Sequence, residues 1–282
     1  MFSSRLLLNL ALVIFLAALI SLALIINNKE KPASVFSQLN KKDISTVLIE
    51  HNNIITQIDN SANTWRITKP VTVEADDFRI QAILNLLNEP VNTYYDIEPS
   101  DYKKFSLDPA LAKLKLGQQE FLFGSTSAVN NMRYVLTNNK LFLVEDTFYP
   151  LITAGYKNLM RRYLFDSHTE FTDIRFNDTH VYQNNKASWQ ADKLQTSADD
   201  LKRYVDNWKY IQAYAVTAAT APYSGIKVTF TTAENKVIVR FLQKTDINTV
   251  VINPQTGLSY QFDISAFESL TKPGFYSTAE AK

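Results

Sequence analysis

The sequence predicts an α+β protein, with an N-terminal transmembrane helix followed by two tandem repeats of antiparallel sheet plus helix. Three observations carry that expectation. Residues 6–26 are apolar apart from Asn9 and Ser21. Behind them, short β-branched segments alternate with turns rich in Asn and Asp, the pattern of antiparallel hairpins. One order of elements also occurs twice, each time with an amphipathic helix opening at an Asp-Asp pair.

Residues 1–5 form a short tail. The 6–26 run is long enough to cross a bilayer, because about 20 apolar residues at roughly 1.5 Å each span the hydrocarbon core. It ends Ala-Leu-Ile-Ile-Asn-Asn, with bulky side chains where a signal peptidase needs small ones. A retained anchor in membrane lipid is therefore expected. Residues 27–41, with Pro32 among Lys and Glu, read as a polar tether. Arg5 flanks the run on one side and Lys29, Lys31, Lys41 and Lys42 on the other. Counted mechanically, those charges favour a cytoplasmic C-terminal domain, but long domains translocate largely regardless of charge. The expectation is an N-in anchor with an exported domain.

The first repeat spans 42–150. Thr46-Val-Leu-Ile-Glu and Ile54-Ile-Thr-Gln-Ile flank His51-Asn-Asn as a hairpin, and Asn60-Ser-Ala-Asn turns into a strand at Trp65. After Ala75-Asp-Asp, residues Ile80, Ile83, Leu84 and Leu87 mark one helical face. Phe105-Ser-Leu-Asp-Pro is a turn. Strands follow over 112–116 and 120–123, and a hairpin closes the repeat around Asn138-Asn-Lys.

Residues 151–168 read as a connecting helical segment in which Tyr156, Leu159 and Tyr163 share a face. The second repeat, 169–272, repeats the order: a hairpin around Asn177-Asp, then Trp189, then a helix after Ala198-Asp-Asp. That helix has Leu201, Tyr204, Val205, Trp208 and Ile211 as its apolar face. Strands follow over 226–231 and 236–242, with a last hairpin around Asn253-Pro-Gln-Thr-Gly. Superposing the two Asp-Asp pairs leaves the helical stripes about two residues out of phase, so element order supports the duplication better than residue identity does. Residues 273–282 form a C-terminal tail.

Composition removes several function classes. With 29 basic against 28 acidic residues, the chain lacks the basic excess of a nucleic-acid binder. No cysteine is present, which removes thiolate chemistry, disulfides and iron–sulfur ligation. The six glycines are scattered, whereas phosphate-cradling loops need them clustered, so no nucleotide is expected.

The candidate constellations have plain structural readings. Asp76-Asp77 and Asp199-Asp200 have the residue types of an acid–base pair. Ser197 with Asp200 nevertheless has capping-box spacing, and Glu74 with Asp77 keeps it, so helix starts are the expected role. His51, His168 and His180 lack metal-ligand spacing. Trp65 and Trp189 are expected to close the core between sheet and helix. Lys157, Arg161 and Arg162 read as a solvated helix face. No catalytic, cofactor-binding or metal-ligating residue is assigned.

Trp65-Arg-Ile-Thr-Lys-Pro, Phe105-Ser-Leu-Asp-Pro, Phe123-Gly-Ser, Arg133-Tyr-Val and Leu159-Met-Arg-Arg-Tyr-Leu-Phe together resemble the bacterial domain-of-unknown-function family forty-three-forty. Ser106 stands where that family's turn has glycine, which questions a positive-φ conformation there. The resemblance implies an α+β repeat protein held on the bacterial inner membrane, related to accessory domains of gliding-motility-type ABC transporters. Neither an activity nor a site residue comes with it.

The functional expectation is a single-pass, non-enzymatic envelope protein whose exported α+β domain binds a partner protein, such as an ABC transporter or another envelope complex. The alternative is an envelope domain that binds or hydrolyses a cell-wall sugar or lipid, for which two carboxylates should converge across a cleft at about 5–9 Å. A purely structural spacer is the third reading.

Overall fold

The computed structural model describes residues 12–21, 34–91 and 94–274. Residues 12–21 are helical with exposed side chains. Among the described residues no helix is long and apolar enough to cross a membrane. The expected spanning helix is thus not found, and the rest of the 6–26 run lies outside the described residues, as do residues 1–5, 27–33 and 275–282.

Two antiparallel sheets form the body. The first is built from β2 (Thr46–His51), β3 (Ile54–Ser61), β4 (Thr64–Lys69), β5 (Val73–Glu74), β7 (Tyr94–Asp96), β8 (Ala112–Leu116), β9 (Gln119–Thr126), β10 (Arg133–Thr137) and β11 (Lys140–Val144). Their spatial order is β5-β4-β3-β2-β8-β9-β10-β11-β7. A separate ribbon pairs β1 (Ser34–Val35) with β6 (Pro90–Val91). The second sheet has β12 (Phe171–Phe176), β13 (Thr179–Gln183), β14 (Trp189–Ala191), β15 (Ala215–Ala218), β16 (Ile226–Thr232), β17 (Val237–Lys244), β18 (Asn248–Asn253) and β19 (Leu258–Asp263). These run β14-β13-β12-β16-β17-β18-β19-β15.

Turn chemistry sets the hairpin registers. Asn52 and Asn53, then Asn138 and Asn139, hold both central φ angles between 49° and 60°. Two consecutive positive φ values make the tight turn whose twist matches the flanking strands, and Asn tolerates them best after Gly. Ser106 also sits at φ 58° and ψ 39°. The doubt raised by serine at this position is therefore resolved in favour of the left-handed conformation.

Each sheet buries one face under helices. In the first, α1 (Asp77–Leu84) lays Ile80, Ile83 and Leu84 on the sheet, with Leu86 and Leu87 buried just beyond it. Asp76 caps α1 by accepting the Arg79 amide at 3.3 Å. In the second, α4 (Ala198–Tyr210) buries Leu201, Tyr204, Val205 and Trp208. The Ser197 hydroxyl accepts the Asp200 amide at 3.1 Å and donates to the Asp200 carboxylate at 2.7 Å. Tyr204 and Trp208 both donate to the Leu270 carbonyl, at 3.0 and 3.1 Å. That anchors α5 (Ala266–Thr271) against α4.

On the first sheet, Gly124 lies under the 105–107 turn, and a Cβ there would stand 2.1 Å from the Phe105 carbonyl oxygen. Its own carbonyl accepts from the buried Arg133, whose guanidinium also pairs with Asp146 at 2.6 Å. Gly124→Ala must displace backbone. It is expected to lower unfolding free energy by about 1–3 kcal/mol, the range for overpacking, as read from denaturant midpoints.

Candidate functional site at the seam between the sheets

Leaving the first sheet, the chain forms α2 (Phe148–Thr153), turns at Gly155 with φ 77°, and makes one helical turn, α3 (Tyr156–Leu159). Beyond Leu159 it is extended. Of the connecting helical segment expected over 151–168, the helical part therefore ends at Leu159, and the reason is visible in its hydrogen bonds. Leu159 O accepts from Asp76 N at 2.8 Å, and Arg161 N donates to Glu74 O at 2.9 Å. On the other side Arg162 O accepts from Ala213 N at 2.9 Å, while Tyr163 bridges to Gln212. A helix would turn those groups inward on itself. An extended strip turns alternate residues to opposite sides and joins both halves of the molecule.

Side chains reinforce the strip. Glu74 accepts the Ser167 amide at 2.6 Å and pairs with Arg161 at 3.4 Å. Its expected capping partnership with Asp77 is absent, because Asp76 takes the cap and leaves Glu74 for the seam. Arg66 pairs with Asp166 at 2.8 Å. Arg162 donates to Tyr214 O at 2.9 Å, and Arg240 to Leu164 O at 2.8 Å. The basic residues once read as a solvated helix face are thus split: Arg161 serves the first sheet and Arg162 the second. Phe165 then enters the core beneath the second sheet, where its ring lies 4.6 Å from Phe171 and 4.8 Å from Phe230.

Two cavities open along this seam. The larger, about 420 Å³, lies among Ile49, Ile54, Ile152, Tyr156, Tyr214 and Val216, with His51 and Arg162 on its wall. The smaller, about 280 Å³, is polar and includes Arg66, Glu74, Arg161, Asp166, Lys236, Arg240, Thr256 and Tyr260. Arg240 is 4 % exposed. Burial pulls its guanidinium down to about 10, which leaves it charged at neutral pH. Burial also pushes the Tyr260 phenol up to about 12.

The residues singled out in the sequence fall mostly elsewhere. Asp76, Asp77, Asp199 and Asp200 sit at the starts of α1 and α4 and line neither cavity. His51 bonds the Leu111 carbonyl at 3.0 Å. His168 lines an opening that shares Arg66, Asp166 and Lys236 with the smaller cavity. His180 lies between Asp192 and Asp173, at 2.8 and 2.6 Å. Trp65 and Trp189 are buried. Among the described residues no cluster of three His, Asp or Glu is placed to hold a metal. Arg240 escaped the sequence reading, although Ile238, Arg240 and Leu242 alternate on the buried face of β17. Period-2 patterning was the signal available for it.

Fold and seam together define an α+β protein of two antiparallel sheets joined through one shared extended strip. The chain belongs to the family described as Domain of unknown function (DUF4340), whose model matches residues 65–236. No curated protein matches it, and no solved structure does.

Two outcomes test these contacts, one at the seam and one on the second sheet. Glu74→Gln leaves Arg161 without its counter-charge and weakens the Ser167 bond, so an unfolding free energy lower by about 1–3 kcal/mol is expected, with chemical denaturation as the readout. Asp173 gives a pH dependence. Burial alone would raise its carboxyl, yet hydrogen bonds from Arg175 and His180 outweigh burial and hold it below the usual range. A depressed carboxyl contributes stability above its unfolded-state value and loses it as pH falls through the folded one. Asp173→Asn should therefore lower the thermal midpoint at neutral pH and flatten the loss of stability below about pH 4.

Proposed function

We propose that the chain is a membrane-anchored, non-enzymatic envelope protein of the bacterial inner membrane. Residues 6–26 are its anchor, its α+β body faces the periplasm, and that body binds a partner protein. The partner is an ABC transporter or another envelope complex, which the chain serves as accessory or scaffold. The apolar 6–26 run supports the anchor, together with the exposure of Leu12, Val13, Ile14, Phe15, Leu16, Leu19 and Ile20 in its helical part. Matched strand order supports tandem repeats: β4-β3-β2-β8-β9-β10-β11-β7 has the same succession as β14-β13-β12-β16-β17-β18-β19-β15.

One observation carries the binding reading. β15 ends the second sheet, pairs only with β19, and borders the larger seam cavity through Ala215 and Val216. Its sequence, Ala-Val-Thr-Ala, holds no charge or proline, the residues that usually blunt an open edge. An extended segment of a partner adds a strand to such an edge and sets alternate side chains into the adjoining apolar cavity. Confinement of both partners to one membrane raises their effective concentration, so a modest interface suffices. The rival reading, hydrolysis of a cell-wall sugar or lipid, rested on Asp76, Asp77, Asp199 and Asp200, and these start two separate helices.

The test compares the full-length chain with its Thr217→Lys/Ala218→Lys variant, both extracted in mild detergent and captured by affinity. A protein recovered with the wild type and lost from the variant, at equal thermal midpoints, is the expected result. Recovery of the wild type alone, or equal recovery with both, refutes edge binding. Phosphatase fused at the C-terminus should be active, and cytosolic fluorescence of a matching fusion without phosphatase activity refutes export.

A further inference from the structure

We propose that the smaller seam cavity is a binding site for a small oxyanion, a phosphate or carboxylate group, held by Arg240 and Thr256. This goes beyond the partner-binding reading, since no residue of β15 lines that cavity.

The first ground is a buried charge with no carboxylate in direct contact. The terminal nitrogens of Arg240 donate to the carbonyls of Val239 and Leu164, at 2.9 and 2.8 Å, and the guanidinium lies 4.9 Å from the centre of the Phe165 ring. Those contacts are to neutral groups. Its Nε is buried and makes no hydrogen bond. Arg66 and Arg161 already pair with the wall carboxylates Asp166 and Glu74. Asp166 attracts Arg240 from a distance while it is ion-paired with Arg66, so Arg240 has no carboxylate of its own, and native proteins match buried cations with an anion.

The second ground is independent of charge. Among the described residues only two buried side-chain polar atoms lack a hydrogen-bond partner, Arg240 Nε and Thr256 Oγ1, and both residues line this cavity. Buried polar atoms are nearly always satisfied, so two orphans in one cavity point to a missing occupant. A water would satisfy the hydrogen bonds and add no counter-charge. An oxyanion would do both through charge-assisted bonds.

Wall chemistry and size narrow the ligand class. Arg66, Arg161, Lys236 and Arg240 set four cations against Glu74 and Asp166, and the buried Tyr260 adds a hydroxyl that stays neutral well above physiological pH. At about 280 Å³ the space lies at the small end of ligand pockets. That suits a single anionic group carrying few further atoms. Lys236 and Gln255 are exposed and mark the mouth.

Calorimetric titration of the full-length chain in mild detergent tests the site. Inorganic phosphate, glycerol 3-phosphate and acetate are compared at matched ionic strength, with chloride as the control. Saturable binding of at least one is expected, weakened about tenfold by Thr256→Val and by Lys236→Gln, with ligand-free thermal midpoints unchanged. Tightest binding of inorganic phosphate would assign a free ion, of glycerol 3-phosphate a phosphorylated headgroup, and of acetate a carboxylate. Absence of saturable heat with all three, or affinities unaltered in both variants, overturns the proposal. Neither result bears on capture of a partner at β15.

Discussion

Everything in this molecule depends on residues 160–164 having both edges committed. A connecting segment with free edges would be a linker, and the sheets would move about it. Here the main chain around Arg161 bonds to Glu74 and that around Arg162 to Ala213. Met160 and Leu164 are meanwhile buried at 1 % and 2 % exposure. Buried backbone groups must find partners, so extended geometry is the solution that satisfies the strip and both neighbours together. Glu74 and Arg240 then secure it from opposite halves of the chain, through Ser167 and Leu164.

That dependence explains what was legible in the sequence and what was not. Local chemistry could be read directly. Asn52-Asn53 and Asn138-Asn139 announced tight turns, Ser197 with Asp200 announced a helix start, and alternating apolar residues located most strands. The failures lie where distant partners decide. Leu159 and Tyr163, four apart, suggest one helical face, yet Tyr163 bridges to Gln212. Hydrogen bonds offered from both sides outweigh weak local propensity. Glu74 looked like a helix cap because its seam partners are 87 and 93 positions away. Ser106 takes a glycine-like conformation because the turn it ends packs on Gly124, a contact no local pattern reveals. The apolar 6–26 run had the plainest signal of all, and most of it lies outside the described residues.

The segments that carried the family resemblance gather at two joints. At one, the Phe105–Ser106 turn rests on Gly124, Ser125 donates to Phe105 O at 3.2 Å, and Tyr134 packs 4.7 Å from the Phe105 ring. Phe105-Ser-Leu, Phe123-Gly-Ser and Arg133-Tyr-Val are thus three sides of one contact. At the other, Trp65-Arg reaches Asp166, the residue that follows the 159–165 segment, through the Arg66–Asp166 pair. The property these motifs share is to fix one chain segment against another. The family match over 65–236 crosses the seam, which suits a unit defined by its joint more than by either sheet alone.

A fixed joint has a consequence for recognition. Phe165 packs on Phe171 and Phe230, and together with Met160 and Leu164 on the same strip it belongs to one hydrophobic core that runs beneath both sheets. Swinging one sheet away from the other would break the strip's main-chain hydrogen bonds to Glu74 and Asp76 on one side or to Ala213 on the other. The walls of the larger cavity come from the β2–β3 hairpin, from residues 152–158, from Arg162 and from Tyr214 to Val216, so the strip and both of its neighbours contribute to them. Association loses affinity to whatever ordering it must impose. On the proposed reading a partner strand meets an edge and a cavity already in register, with little left to order in this chain. Selectivity then resides in the spacing between the β15 edge and the apolar wall of Ile49 and Ile54, a distance set by the strip.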